Sequence, residues 1–313
     1  MNTSVNLISK VKKKPLNVLS NKTELMAIDA GNYNVKVRFG FNLEKFCSAV
    51  LLYDGRQLDQ RYGPDDMRFR IETMQGDILY GVAGNIADME GEYGSGRVYG
   101  NTKNHDEGKV RVLLAVYRYA KSDRLNIVVA QPYKFHSLEK EEIISSLKGT
   151  HLVTVDYGDG PIAKTFTIEN VSVLAEGAGL FFINPIKKGI VRYIDIGSGT
   201  VNCLTFKDGV CLKDQSTTLN FGTETRLDDE DANLESLARG IYSNMSKKWN
   251  KNDNVIVGGG CTKDIISILK KYYINADIVR PGFTDEKGKT LIAHPEFANA
   301  WGMYEVGEKV YGK

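Results

Sequence analysis

The chain has 313 residues, enough for two domains that each bury a hydrophobic core. Hydrophobic residues make up 42% of it and charged residues 26%, as in an ordinary globular protein, and no apolar run reaches the ~18 residues of a membrane span. The net charge of +2 gives no case for general nucleic-acid binding, and the four cysteines and four histidines lack metal-ligand spacing, so we expect reduced thiols, no structural zinc and a cytoplasmic protein.

Residues 1–23 form a polar, basic segment in which four lysines precede Pro15. This composition favours a flexible tail, because it offers little apolar surface to bury. The alternative is a contact arm for a neighbouring subunit, a DNA complex or an anionic lipid surface.

The first half of the chain is rich in predicted strands. These strands are 25–30, 33–40, 46–53, 68–74, 78–82, 127–130, 150–157 and 162–174. The first three are expected to form a meander, and the next two a hairpin. Helices are predicted over 106–121, whose acids come early and bases late, over 137–147, with Ser137 as its cap, and from Glu176 onward.

The second half begins at about Lys188 and continues the alternation of strands and helices. Its predicted strands are 200–206, 210–219 and 255–257, and its predicted helices are 223–249, 261–272 and 295–310. The last helix is expected to pack back on the first half. Alternation in both halves predicts an α/β fold.

One short pattern occurs in both halves. An apolar run ends at Asp29 and a small, Gly-containing turn, followed by an extended segment, and the same arrangement recurs around Asp195. A carboxylate at the end of a buried strand can hold Mg²⁺ through water, and the backbone N–H groups of the turn can bind phosphate oxygens. Two copies therefore predict two lobes that close on a single nucleotide.

Five segments follow one another in the order found in the actin-like ATPases, the superfamily of actin, sugar kinases and DnaK-type chaperones. Residues 29–36 (Asp-Ala-Gly-Asn-Tyr-Asn-Val-Lys) resemble its first phosphate motif, and 195–200 resemble the second. Residues 256–260 resemble the adenosine motif. Residues 174–179 and 297–303 resemble the two connecting helices.

Within that superfamily the chain resembles the bacterial plasmid-segregation actins, the ParM and AlfA group, in size, in the Ala-Asn-Ala-Trp-Gly of 298–302 and in the stretch 99–103 before a long helix. The resemblance implies a duplicated, ribonuclease H-like fold with a nucleotide cleft between two domains. The first would comprise 24–187 plus 295–313, and the second 188–294.

The spacing within the second domain is short for this superfamily. Gly258 follows Asp195 by only 63 positions, which one strand pair and one helical stretch nearly fill. Relatives usually place a small subdomain there that helps to cover the adenine. We therefore expect the second small subdomain to be reduced or absent, as in AlfA-like filaments.

The resemblance also implies roles for individual residues. ATP, or GTP, with Mg²⁺ would be bound by Asp29, Gly31, Asn32, Tyr33, Asn34, Lys36, Gly197, Ser198, Gly199, Thr200, Gly258, Gly259 and Gly260. Asp29 and Asp195 would hold the hydrated metal from opposite sides. Glu176 would orient or deprotonate the attacking water and, with Asp195, form the catalytic pair.

Each of these residues has a plainer interpretation. Asp29 and Asp195 could be ordinary turn residues, and Glu176 an acid that stabilises a helix N-terminus. Lys36 could face solvent on a strand, and Gly258–Gly260 could be a simple strand–helix turn. The acidic run 228–231 is read as the solvated start of a helix rather than a metal site.

The function implied by the resemblance is that of a bacterial filament-forming ATPase, with hydrolysis controlling filament stability. Subunits would stack head to tail into a helical filament, and a ParR-like DNA-binding adaptor would link it to a centromere-like plasmid site. No direct sequence-specific DNA binding is expected. The alternatives are a small-molecule kinase of the same superfamily and a cell-shape or division actin, although residues 306–313 are too short and polar for a membrane-binding helix.

Overall fold

The computed structural model describes residues 23–52, 63–90, 102–183, 185–186, 188–224, 230–284 and 290–312. Apart from Thr23, the basic segment 1–23 lies outside these residues, and so do 99–101 and 228–229. Within the described part of the chain, no helix is both long and apolar enough to cross a membrane.

Strands and helices alternate through both halves, which confirms the α/β class. The strands are β1 Glu24–Ala30, β2 Asn34–Phe39, β3 Asn42–Cys47, β4 Val50–Leu52, β5 Met67–Thr73, β6 Ile78–Ala83, β7 Arg124–Gln131, β8 Gly149–Asp156, β9 Ile162–Ala175, β10 Ile190–Ile196, β11 Val201–Lys207, β12 Val210–Cys211, β13 Thr217–Leu219, β14 Asn254–Gly259, β15 Asn275–Ile278, β16 Gly282–Thr284 and β17 Thr290–Ile292. The helices are α1 Asn85–Glu90, α2 Asp106–Tyr119, α3 Tyr133–Leu147, α4 Ala178–Ile183, α5 Glu230–Met245, α6 Thr262–Leu269 and α7 Ala298–Tyr311.

The first sheet has nine strands in the order β3-β2-β1-β7-β9-β8-β5-β6-β4. Strand β1 is antiparallel to β2 and parallel to β7, and β7 is parallel to β9. Met26 and Ile28 are fully buried among residues of α2, whereas Ala27 is buried on the opposite face against α7. Because both faces are covered, β1 after Glu24 is an apolar run that only Asp29 interrupts.

The second sheet repeats this arrangement. Its path is β12-β11-β10-β14-β15, with β13 also paired to β11. Strand β10 is antiparallel to β11 and parallel to β14, which is parallel to β15, so β10 occupies the position that β1 has in the first sheet. Asp29 and Asp195 are therefore equivalent, each one residue before the end of the first strand of its sheet.

The chain between β10 and β14 contributes short strands and α5 to the same half. Leu237 and Ile241 of α5 pack with Ile194 and Val255 of the second sheet in one buried cluster. The described residues of this stretch thus belong to the core of the second sheet and form no separate subdomain, as expected from the short spacing.

Helices α4 and α7 connect the two sheets. Helix α4 follows β9 but packs on the second sheet, where the rings of Phe181 and Phe206 stack with centroids 4.3 Å apart. Helix α7 follows the second half and packs back on β1 and β7, as predicted. The two helices cross in backbone contact, since a Cβ added at Gly302 would lie 1.8 Å from the carbonyl oxygen of Gly179.

Two predicted strands differ from the structure. Of the predicted strand 46–53, β4 leaves the meander and pairs with β6 at the far edge of the sheet, while β3 extends back to Asn42 and stays beside β2. The predicted strand 210–219 is interrupted by a 3-10 turn at Lys213–Gln215. Sheet edges of this kind are set by pairing partners that are distant in the sequence.

Three helix boundaries also differ. Helix α3 begins at Tyr133 with Pro132 at the N-cap position, so Ser137 lies inside the helix and the predicted cap is wrong. The structure describes a helix only over Glu230–Met245 of the predicted 223–249. Glu176 lies in the turn before α4 rather than in the helix.

Replacing Gly302 with alanine should separate α4 from α7, because the added methyl group has no space beside the Gly179 carbonyl. We expect a loss of about 1–3 kcal/mol in the free energy of unfolding, measured by chemical denaturation. Val310→Ala, at an exposed position of the same helix, is the control and should change it little. Equal stability of the two variants would contradict the tight crossing.

Candidate functional site

A polar cavity of about 450 Å³ lies between the two sheets, where β1 and β10 end. The predicted site residues that line it are Asp29, Gly31, Asn32, Tyr33, Asn34, Lys36, Glu176, Asp195, Gly197, Ser198, Gly199, Thr200, Gly259 and Gly260. These residues come from four separate segments of the chain. The fold therefore brings together all but one of the predicted residues, the exception being Gly258.

The turn between β1 and β2 forms one wall of the cavity. Asp29 is buried and stands opposite Lys36 in the strand pairing. A Cβ added at Gly31 would lie 2.7 Å from the carbonyl oxygen of Asn34 and 3.6 Å from Nζ of Lys36. The turn consequently has no space for a side chain at this glycine, and the lysine ammonium lies over its backbone.

A buried support holds this turn in place from behind. Ser48 donates a hydrogen bond from its hydroxyl to the carbonyl oxygen of Asn32 at 2.5 Å, and its amide donates to the carbonyl of Tyr33 at 3.2 Å. Arg111 of α2, which is fully buried, donates from Nε to the carbonyl of Ser48 at 2.7 Å. The turn is thereby tied to the core of the first half rather than left as a free loop.

The turn after β10 forms the opposite wall. Its ends are joined by a hydrogen bond of 2.9 Å from the Gly197 amide to the Thr200 carbonyl. The amides of Thr223 and Glu224 donate to the carbonyls of Gly197 and Ser198, at 3.1 and 2.9 Å. With two of its carbonyls already bonded to this neighbouring segment, the turn has a fixed backbone at the cavity wall.

Asp195 lies where several charges meet. Burial, as the largest cause, and the nearby carboxylates of Asp29 and Glu176 together raise the pKa of Asp195 to about 7. Lys36 and Lys103 act in the opposite direction by favouring the ionised form. A group of like charges that is only partly neutralised is a site prepared for a cation.

Glu176 bonds to residues of both halves. Its Oε2 accepts a hydrogen bond of 3.0 Å from Nδ2 of Asn202, on β11 of the second sheet, and its Oε1 lies 3.4 Å from Nζ of Lys103 in the first half. Its amide donates to the carbonyl of Gln131 at 2.8 Å. The carboxylate therefore points into the cavity, which argues against a simple role at the N-terminus of α4.

The glycine segment after β14 is only partly as predicted. Gly258 faces away from the cavity, because a Cβ there would lie 2.8 Å from Leu180 of α4. Gly259 has φ +111 and would place a Cβ 2.1 Å from the carbonyl of Ile196, so a side chain is excluded twice over. Gly260 has open space beside it. Two of the three glycines thus line the cavity, and the first one allows close packing of α4.

The sequence patterns do not identify Lys103 and Asn202, the two side chains that contact the Glu176 carboxylate. Lys103 is predicted only as the last residue of the family-like stretch 99–103, and no role is predicted for Asn202. The signal for Asn202 was available, because it stands opposite Asp195 in the hairpin just as Lys36 stands opposite Asp29. No local pattern pointed to Lys103, which reaches the cavity from a loop.

Comparison with known proteins agrees with this geometry. The family model described as "Actin like proteins N terminal domain" matches residues 27–179. The solved AlfA filament bound to AMPPNP is 20% identical with a TM-score of 0.70, covering 93% of this chain and 98% of that one. The chain therefore has an actin-like fold, and residues 27–179 match the N-terminal domain of that family.

Two further solved structures show the same likeness. The AlfA filament from B. subtilis plasmid pLS32 is 21% identical with a TM-score of 0.69, covering 90% of this chain and 98% of its own. The apo ParM of psk41 is 19% identical with a TM-score of 0.65, at 93% and 98% coverage. No curated protein sequence matches the chain.

The donor set of the actin-like cleft fits a hydrated magnesium ion. Among the described residues, no group of three or more His, Cys, Asp or Glu side chains is arranged to bind a metal directly. Mg²⁺ typically keeps several waters and uses one or two carboxylates together with substrate phosphates. Asp29 and Asp195, which repel each other across the cavity, would supply those carboxylates.

Replacing Asp195 with asparagine should stabilise the nucleotide-free protein in a pH-dependent way. The pKa of Asp195 is about 7 in the folded state and about 4 in an unfolded chain, so from pH 4 to 7 the unfolded state loses the proton first and is favoured. Asparagine has no such proton. In EDTA, we expect the thermal midpoint of Asp195→Asn to exceed that of the wild type by about 3–6 °C at pH 8.

This gain should shrink as the pH is lowered towards 4, where both states are protonated. The exposed Asp214 provides a control, and Asp214→Asn should show no comparable gain at pH 8. A pH-independent gain in the Asp195 variant, or none, would contradict the electrostatic account.

Proposed function

We propose that this protein is a nucleotide triphosphatase that polymerises with Mg·ATP and segregates plasmid DNA. The observation that carries the proposal is the meeting of Asp29, Glu176 and Asp195 in one polar cleft between two duplicated sheets. Such a cleft matches what a metal-bound triphosphate requires. The domains would be 24–187 plus 295–313 and 188–294.

Each group of cleft residues would bind a different part of the nucleotide. The amides of Asn32, Tyr33 and Asn34 would bind phosphate oxygens, and Lys36 would neutralise them as a compact cation. The segment 197–200 would surround the terminal phosphate from the other side. Gly259 and Gly260 would let the adenosine lie flat against the backbone.

Asp29 and Asp195 would hold the hydrated metal from opposite sides, and the metal would shield the phosphate charge. Glu176 would orient the attacking water and accept its proton. The water oxygen bonds to the terminal phosphorus as the bond to the bridging oxygen breaks, giving ADP, phosphate and a proton.

Closure of the two halves would control this step. Glu176 belongs to the first half, yet Asn202 of the second half donates to its carboxylate. Thr218 in turn donates to Oδ1 of Asn202 at 2.8 Å, which fixes the amide orientation. A movement of the second sheet would therefore shift the catalytic carboxylate, so that a filament contact could switch hydrolysis on.

The filament and its cargo are inferred from the solved neighbours. The AlfA structures are filaments, one of them bound to AMPPNP, and AlfA and ParM share this fold. Head-to-tail stacking does not close and so propagates as a helix. A ParR-like adaptor would bind a centromere-like site and connect the filament to plasmid DNA.

Adding Mg·ATP to the purified protein should produce filaments that sediment above a critical concentration. Ninety-degree light scattering should rise with ATP and stay low with ADP, and a parallel run with GTP would define the nucleotide preference. Protein that stays monomeric at tens of micromolar would contradict the proposal. ATP turnover that rises with an added small-molecule acceptor, without scattering, would indicate a kinase.

Replacing Glu176 with alanine should leave assembly intact but slow phosphate release about 10²-fold or more, because the water loses its base and its orientation. Filaments should last correspondingly longer. Glu176→Gln is the matched control, since it keeps the size and one acceptor oxygen for the Asn202 amide but cannot accept a proton. Unchanged phosphate release in the alanine variant would remove Glu176 from the mechanism.

A further inference from the structure

We propose that Lys103 is a further catalytic residue, one that contacts the terminal phosphate of the bound nucleotide beside Glu176. The proposal rests on the nucleotide cleft of the proposed function and adds a residue to it. It comes from the position of the lysine ammonium, which lies in the cleft although its backbone belongs to a loop ahead of α2.

The ammonium group lies at the point where water and phosphate would meet. Its Nζ is 3.4 Å from Oε1 of Glu176 and donates to Oδ1 of Asn32 at 3.1 Å. Glu176 is the proposed base, and Asn32 belongs to the first phosphate-binding turn. A cation between these two groups would be able to reach both the attacking water and the terminal phosphate oxygens.

The backbone of Lys103 is held independently of any ligand. Its amide donates to Oε1 of Gln131 at 2.8 Å, and Gln131 is fully buried. The carbonyl of the same Gln131 accepts the amide of Glu176. One buried residue thus sets the positions of both members of the pair, and such support allows a long side chain to be preorganised.

Without Lys103, neither of the other two lysines that line the cleft would lie beside Glu176. Among the described residues, the cavity is lined by six carboxylates, Asp29, Glu176, Asp195, Glu224, Asp264 and Glu296, and by three lysines, Lys36, Lys45 and Lys103. The ammonium of Lys45 is bonded to Glu296 at 3.0 Å, on a half-exposed side chain. Lys36 lies over the first turn. Lys103 is the described cation beside the proposed base.

A purely structural lysine would serve only to neutralise Glu176. The side chain of Lys103 is 9% exposed and that of Glu176 is 8% exposed, so the pair is nearly desolvated. An ammonium group has three donors, and the contacts to Glu176 and Asn32 leave its third for a ligand oxygen. The two interpretations differ in one measurable respect, the discrimination between nucleotides with and without a terminal phosphate.

The test compares the affinities of wild type, Lys103→Met and Lys109→Met for Mg·ADP and Mg·AMPPNP, below the concentration for assembly. Lys109 is the matched control, because its side chain is also 9% exposed and ion-paired, with Asp77 at 3.1 Å, but it lies outside the cleft. For Lys103→Met we expect AMPPNP to bind about 10–100-fold more weakly and ADP to change by less than about twofold. Lys109→Met should match the wild type for both nucleotides.

Two further variants distinguish a direct contact of Lys103 with the phosphate from a disturbed charge balance in the cleft. The double variant Lys103→Met/Glu176→Gln removes both charges of the pair, so it restores the electrostatic balance but should keep the selective loss of AMPPNP affinity. Lys103→Arg retains the cation and should recover part of that affinity. Equal losses for ADP and AMPPNP, no loss for either, or recovery in the double variant would overturn the role of Lys103 alone. Wild-type protein that binds neither nucleotide would overturn the proposed function as well.

Discussion

The repulsion among three carboxylates at the end of the strands is the constraint on which the cleft depends. Asp29, Glu176 and Asp195 would separate or become protonated in a flexible chain, because their mutual repulsion is strong where water is scarce. Two stiff strands and a glycine turn keep them together. The protein therefore stores an electrostatic cost at this site, which a bound cation would relieve.

Hydrogen bonds and helix packing around the cleft hold the repelling carboxylates in place. The first turn is tied through Ser48 to buried Arg111, and the second is tied to the segment at 222–224. Helices α4 and α7 join the two halves at a crossing with no space for a side chain, at Gly179 and Gly302. Each turn is thus fixed within its own half, and the α4–α7 crossing joins the halves.

Periodic sequence patterns predict the strands and helices correctly where an element is buried and must therefore be apolar. The apolar runs ending in Asp29 and Asp195 were correctly placed as strands, and residues 106–119 as a helix, since each pattern repeats with the period of its element. The predicted cap at Ser137 is wrong, because the helix begins at Tyr133 after Pro132. Gly258, predicted to contact the nucleotide, faces Leu180 of α4, a contact that depends on tertiary packing.

The sequence by itself determined the fold class, the duplication and most of the cleft, because an apolar strand leading to an acid and a small turn has few alternative uses. Only the tertiary structure decided which side chains meet. Lys103, Glu176 and Asn202 are far apart in the chain, and they come together through strand order and the position of a loop. Contacts of this kind depend on three-dimensional register, and no periodicity along the chain encodes them.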